Sequence, residues 1–202
     1  MRIAVLAVQG AFIEHRHILQ QLGAECVELR NSSDLAGEFD GIVLPGGEST
    51  VQGKLLRELH MFEDLKQRIQ NGMPVLATCA GLILLAGQIS GSPNAHFATL
   101  PVTVKRNAYG RQLGSFSASA RIKGIREGTR PFPLEFIRAP YIASIHGDKA
   151  VEPIAVIDKL PDGSQGCNMV GVRYQNQIGL AFHPELVGDT RCHEMFLSMC
   201  QA

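Results

Sequence analysis

The sequence predicts an α/β fold with a mostly parallel central sheet between helical layers and an antiparallel extension in the second half of the chain. Three observations carry this expectation. Short apolar runs alternate with helix-length amphipathic segments in the order strand, helix, strand through the first 80 residues. One of those runs, "MPVLAT" at 73–78, is apolar on both faces, as a central strand covered by helices must be. From about residue 98 the apolar runs shorten and glycine and proline turns crowd between them.

Taken in order, "RIAVLAV" reads as a buried parallel strand, and residues 11–22 as a helix stopped by Gly23. "AECVEL" and "GIVLPGG" are the next strands, the latter halted by proline and glycine. Residues 51–69 supply one or two helices, "MPVLAT" a strand, and residues 80–86 a helix. "LPVTVKRN", "LGSFSASARI" and "LEFIRAPYI" are extended segments assigned to the antiparallel extension. "IAVID", "CNMVGVRYQ" and "QIGLAF" continue the strand pattern, with a turn at "DG", 162–163. The segment 188–200 closes as an amphipathic helix with Asp189 near its cap.

A chain of 202 residues that is 45% hydrophobic can bury a substantial core, and without repeats or linkers a single domain over 1–202 is the economical reading. Nineteen basic residues balance nineteen acidic ones without long blocks of either sign. That distribution points away from nucleic acid and membranes and toward a small molecule or another protein. The apolar run at the N-terminus is too short to span a bilayer and lacks the pattern of a cleavable leader, so a cytoplasmic protein is expected. Cys26, Cys79, Cys167, Cys192 and Cys200 are odd in number and form no CxxC pair, which supports neither a disulfide framework nor a thiolate metal site.

Four stretches carry candidate chemistry. In "PVLATCAGLILLA", residues 74–86, Cys79 stands between a strand's end and a helix's start. Unpaired N–H groups and the helix dipole there favour a thiolate, and can stabilise an oxyanion on a carbonyl under attack. A packing cysteine is the competing reading. In "AFHPEL", residues 181–186, an extended backbone puts His183 and Glu185 on one side, where Glu185 can set the tautomer of a base. A surface His and Glu after an edge strand is the competing reading, and "HPE" alone is a weak signal. In "LPGGEST", residues 44–50, Gly46 and Gly47 let backbone donors approach a ligand, with Glu48 as an acid in the first turn of the next helix. It lacks the spacing of a phosphate loop. In "KRNAYGRQ", residues 105–112, Arg106 can meet a carboxylate, while Arg111 and Gln112 can face a partner or hold the loop.

Together "AVQGAFIEH", "LPGGEST", "TCAGLILLA", "RNAYGRQ", "FIRAP" and "FHPEL" resemble the class I glutamine amidotransferases, nearly end to end. Within them the closer resemblance is to the glutaminase subunits of pyridoxal 5'-phosphate synthases. The resemblance implies a three-layer, flavodoxin-like fold, and a free-standing subunit that hydrolyses L-glutamine. It implies Cys79 as nucleophile, His183 as general base and acid, and Glu185 as its orienting carboxylate. It also implies an oxyanion hole at Gly47 and Ala80, and glutamine recognition by Gly47, Glu48, Ser49, Arg106, Ile137 and Arg138. Gln9 and Gly10 would lie near the pocket and the surface for a barrel-shaped, multimeric synthase subunit that uses the ammonia. No metal and no bound cofactor are implied. A glutaminase serving a different synthase, or a silent regulatory subunit, are the alternatives. Five positions depart from the family pattern: Ala77, Pro101, Gly114, Ser117 and Ala181. His15 falls in the first motif without an assigned role.

Overall fold

The computed structural model describes residues 1–106, 114–147, 150–159 and 165–201. Its first half contains β1 (Arg2–Leu6), α1 (Phe12–Gln21), β2 (Glu25–Leu29), β3 (Gly41–Leu44), α2 (Ser49–Glu58), α3 (Phe62–Gln70), β4 (Val75–Thr78) and α4 (Ala80–Leu85). The remainder contains β5 (Ala86–Ile89), β6 (Leu100–Lys105), β7 (Ser115–Ala120), β8 (Phe132–Ile137), β9 (Tyr141–Ile145), β10 (Glu152–Lys159), β11 (Gln165–Tyr174), β12 (Gln177–Leu180) and α5 (Arg191–Met199).

The core of the main sheet is the parallel set β2-β1-β3-β4-β12. Val5, Val43, Leu76 and Ile178 form one row across it. Every residue of β3, β4 and β12 is buried, so helices cover both faces, and this explains why their sequences do not alternate. The sheet continues through antiparallel β11 and β9 to β6 and β5, and β10 pairs with the far side of β11. A large, mostly parallel sheet with an antiparallel extension is therefore observed.

Several boundaries differ from expectation. β7 and β8 do not join the extension but form a two-stranded sheet of their own, from Ser115 opposite Ile137 to Ala120 opposite Phe132. The cause is visible in β8, where Phe132, Leu134 and Phe136 point inward and both phenylalanines pack near Phe182. The run "LEFIRAPYI" is two strands, broken at Arg138, whose φ is 45°. Residues 51–69 are two helices, separated at His60 with φ 57°. The helix at 80–86 ends one residue early, and Ala86 opens a strand that was not expected. A 3-10 turn over Ser32–Ala36, closed by a capping box between Asn31 and Asp34, was also not expected.

Asp189 does sit at the start of α5, where its Oδ1 accepts the Arg191 N–H at 3.2 Å. The "DG" turn, and Arg111 and Gln112, lie outside the described residues. Cys26, Cys79, Cys192 and Cys200 are free thiols. No described helix is long and apolar enough to cross a membrane.

Because β1, β3, β4 and β12 run parallel, the segments after their carboxyl ends collect along one edge. Those segments hold Gln9 and Gly10, Gly46 and Gly47, Cys79, and His183. Four stretches distant in sequence thereby become neighbours.

Candidate active site

Cys79 occupies the single residue between β4 and α4 with φ 47° and ψ −99°. A side chain held there costs about 1–3 kcal/mol, so the surroundings must hold it in place. The Cys79 N–H donates to the Leu180 carbonyl at 2.8 Å, and its own carbonyl accepts from the Ile83 N–H at 3.3 Å. Two glycines make room. A Cβ on Gly81 would stand 2.0 Å from the Leu44 oxygen, and one on Gly46 would stand 2.3 Å from His183 Cε1 and 3.3 Å from Cys79 Cβ. The sulfur faces a cavity of about 750 Å³, and the Ile137 carbonyl lies 4.0 Å away.

His183 caps a one-turn 3-10 helix, Pro184–Leu186, and its backbone is not extended as expected. Pro184 at the first position bends the chain, so the tight turn, rather than strand alternation, brings positions 183 and 185 together. His183 Nδ1 and Glu185 Oε1 are 2.6 Å apart, and the ring is within hydrogen-bonding reach of the Cys79 thiol. The His183 N–H donates to the Glu135 carbonyl at 2.9 Å, which ties the turn to β8. Burial works against the imidazolium, but the bonds to Cys79 and Glu185 and their charges outweigh it and push the His183 pKa up to about 10. Burial likewise works against the Glu185 carboxylate. The neighbouring His15, the hydrogen bond from His183 and the His183 charge reverse that, and hold it below the usual carboxylate range.

The glycine turn forms the next wall. Gly47, Glu48 and Ser49 line the cavity together with Gln9 and Gly10. Gly10 has φ 102°, and a Cβ there would lie 1.9 Å from the Gly46 oxygen, so the two loops touch through bare backbone. Gln9 Oε1 accepts the Glu48 N–H at 2.8 Å, and the Gln52 side chain donates to the Gln9 carbonyl at 3.0 Å. Glu48 is the N-cap of α2, accepting from the Thr50 N–H at 3.1 Å, rather than an acid of the first turn. Its cap bond is made before the helix begins.

Arg106, Ile137 and Arg138 form the exposed wall of the same cavity. Arg106 Nη1 donates to Thr50 Oγ1 at 3.2 Å. Arg138 takes its left-handed conformation at the end of β8, with its N–H bonded to the Gly114 carbonyl. Ala80 and Glu185 are the exceptions among the expected site residues: both are buried, Ala80 as the first residue of α4 and Glu185 behind His183, and neither is part of the cavity lining.

The five departures occupy ordinary structural positions, Gly114 supplying the carbonyl that accepts the Arg138 N–H. Ala77 lies in β4 between Leu44 and Gly179, an ordinary strand position. Pro101 contributes its carbonyl to the His146 N–H, Ser117 donates to Glu135 at 2.6 Å, and Ala181 donates its N–H to Val170 at 2.8 Å.

Thr78 was missed. Its Oγ1 accepts the Gly46 N–H at 3.0 Å, joining the strand that leads to Cys79 to the glycine turn. The available signal was a hydroxyl at the end of a strand otherwise apolar on both faces, since a buried hydroxyl needs a partner.

Residues 5–202 match the family model described as the SNO glutamine amidotransferase family. Pyridoxal 5'-phosphate synthase subunit PdxT of Desulfitobacterium hafniense (strain DSM 10664 / DCB-2) is 58% identical over 197 residues, covering 98% of this chain and 92% of the relative. The subunit of the same name from Streptococcus pneumoniae serotype 2 is 44% identical over 204 residues, covering 100% and 98%. A crystal structure described as a glutamine amidotransferase superposes with TM-score 0.85 at 37% identity, covering 99% of both chains. The structure of PurLQS from Thermotoga maritima, at 15% identity and TM-score 0.67 over 99% and 97%, shares the fold. With the match extending over nearly the whole sequence, the chain belongs to the SNO glutamine amidotransferase family.

Proposed function

We propose that this protein hydrolyses L-glutamine to L-glutamate and ammonia through a Cys79–His183–Glu185 triad, and passes the ammonia to a synthase subunit that makes pyridoxal 5'-phosphate. One observation carries the reading: a histidine bonded to a buried carboxylate at 2.6 Å meets a cysteine on a left-handed turn at the floor of an open cavity. The names of the similar PdxT subunits support the pathway and the partner.

In the mechanism, Sγ of Cys79 attacks the side-chain carboxamide carbon of glutamine, and the carbonyl π electrons move onto oxygen. His183, which holds its proton through neutral pH, gives it to the departing nitrogen as the C–N bond breaks. Ammonia leaves a γ-glutamyl thioester. A water then attacks with His183 taking its proton, the C–S bond breaks, and glutamate is released. Glu185 keeps Nδ1 protonated, so that Nε2 is the nitrogen that exchanges the proton with sulfur and substrate.

Backbone N–H groups of Gly47 and Ala80 would receive the oxyanion. Ala80 opens α4, where N–H groups lack intrahelical acceptors. Arg106 and Arg138 would take the α-carboxylate, and Glu48, Ser49 and Ile137 the rest of the amino-acid frame. Gln9 and Gly10 touch the glycine turn directly, so a multimeric, barrel-shaped synthase docking there could set the orientation of the Gly47 donor.

Glutamate formation by wild type and Cys79→Ala, each with and without the cognate synthase, tests the reading. Activity that rises with the synthase and vanishes in the variant is expected. Equal activity in the variant would remove Cys79 as nucleophile. Ammonia without pyridoxal phosphate, in the presence of the synthase and its sugar phosphates, would leave the hydrolysis standing and overturn the pathway.

A further inference from the structure

His15, on α1, has no exposed surface, and it faces the back of the triad. Its Nε2 lies 3.3 Å from Glu185 Oε2 and 3.1 Å from Thr78 Oγ1. Its Nδ1 lies 2.9 Å from Nε2 of His193, a second fully buried histidine, on α5. Because Thr78 Oγ1 also accepts the Gly46 N–H, the His15 ring touches both the carboxylate that orients His183 and the hydroxyl that anchors the glycine turn. Three buried imidazoles and one carboxylate thus form a continuous polar chain running from Cys79 into the protein interior.

We propose that His15 is a positioning residue of the glutamine-hydrolysing site, its Nε2–H donating to Thr78 and standing 3.3 Å from Glu185 Oε2 as an electrostatic neighbour, while His193 donates to its Nδ1. The proposal rests on the Cys79–His183–Glu185 reading above.

Contacts decide the tautomer. With the proton on Nδ1, the bare Nε2 lone pair of His15 would face the Glu185 carboxylate, whose buried Oε2 has no hydrogen-bond partner to offset the repulsion. With the proton on Nε2, the same contact is attractive, and Nδ1 is free to accept from His193. His193 Nδ1, which has no hydrogen-bond partner, is then a bare acceptor rather than a stranded donor.

The ring's neutrality also matters. Burial lowers the His15 pKa, and burial, aided by His15, lowers that of His193 to about 3. A cation at position 15 would repel the His183 imidazolium and compete for its carboxylate. A neutral N–H dipole holds Glu185 in place without that competition.

The two amide side chains separate positioning from packing. Gln at 15 can place its Nε2 amide near the imidazole Nε2, whereas Asn reaches only the Nδ1 position. Steady-state glutamine hydrolysis should be measured on the full chain with its synthase partner, for wild type, His15→Gln and His15→Asn. His15→Asn is expected to lose about tenfold or more in kcat with KM for glutamine changed less than about twofold, while His15→Gln stays within about threefold of wild type. Glu185 is faced by His183 from its own turn and His15 from α1, with His193 of α5, Glu14 of α1 and Cys79 further out. Losing the donor at 15 makes the anion harder to keep, so the acid limb of kcat/KM should move to higher pH in His15→Asn and hold in His15→Gln.

Equal losses in both variants, or a loss confined to KM, would overturn the role. If His15→Asn does not fold, 15N NMR of the wild-type imidazoles decides instead: protonated Nε2 on His15 supports the proposal and protonated Nδ1 overturns it. Wild type with no glutamine hydrolysis would overturn the function and this role together, whereas an active wild type with the wrong variant pattern would overturn this role alone.

Discussion

The two walls of the cavity are built on opposite principles. Cys79, His183 and Glu185 are each at most 6% exposed; Cys79 and His183 are bonded to elements far away in sequence, and Glu185 is held between His183 of its own turn and His15 of α1. Arg106, Ile137 and Arg138 stand in solvent at strand ends, with few ties of their own. The buried wall has the properties of reaction machinery, where an ångström of displacement is costly. The exposed wall has the properties of a recognition surface, where a flexible cation can follow a carboxylate. Changes to the first should therefore act on kcat, and changes to the second on KM.

Removing the proposed nucleophile is the largest test of that division. Cys79→Ala should lower kcat by about a thousandfold or more while glutamine binding, measured by calorimetry, persists. Loss of binding alone would place Cys79 in the recognition wall.

Crowding the buried wall should come next. In Gly46→Ala the new Cβ meets the His183 ring at 2.3 Å. A drop in kcat of about a hundredfold is expected, with a lower Tm. Unchanged kcat would show that the ring can give way, and that the wall is less rigid than its bonds imply.

Glu185→Gln sharpens the electrostatic part. The His183 pKa is raised from 6.5 to about 10, so the stabilisation from its partners is fully present below pH 6.5 and is lost as pH rises through about 10. Wild type should thus show a falling urea midpoint between pH 7 and pH 10.5. The variant, with one partner uncharged, should show a smaller fall centred at lower pH. Identical midpoint profiles would mean that Cys79 alone raises His183.

Arg106→Ala should have the smallest effect on chemistry. KM for glutamine is expected to rise about tenfold with kcat within twofold and Tm unchanged, as befits a side chain in water bonded to one hydroxyl. A kcat loss as large as that of Gly46→Ala would erase the distinction between the walls.

Much of this was legible in the chain. The apolar runs located β1, β3, β4 and β12, and "TCAG", "HPE" and "GGEST" located the residues that meet at their ends. Local conformation was read less well where two local rules competed. At 183–185 alternation suggested a strand, but Pro184 imposed a 3-10 turn that makes the same contact by another route. At Glu48 helix-start signals were correct, yet the residue caps the helix from outside it. The independence of β7 and β8 was hidden because their alternation is that of any half-buried hairpin.

What the sequence alone determined was most of the elements and the residues proposed as the triad, because periodicity and short motifs are local properties. Which nitrogen of His183 meets Glu185, which buried imidazole stands behind that carboxylate, and why Gly46 and Gly10 admit no side chain were decided only by tertiary structure. Apart from the His183–Glu185 pair within one turn, those are contacts between segments from 32 to 178 residues apart, such as Gly46 with Thr78 and His15 with His193. They exist because parallel strands bring their carboxyl ends to one edge, and no local pattern encodes a distance across that edge.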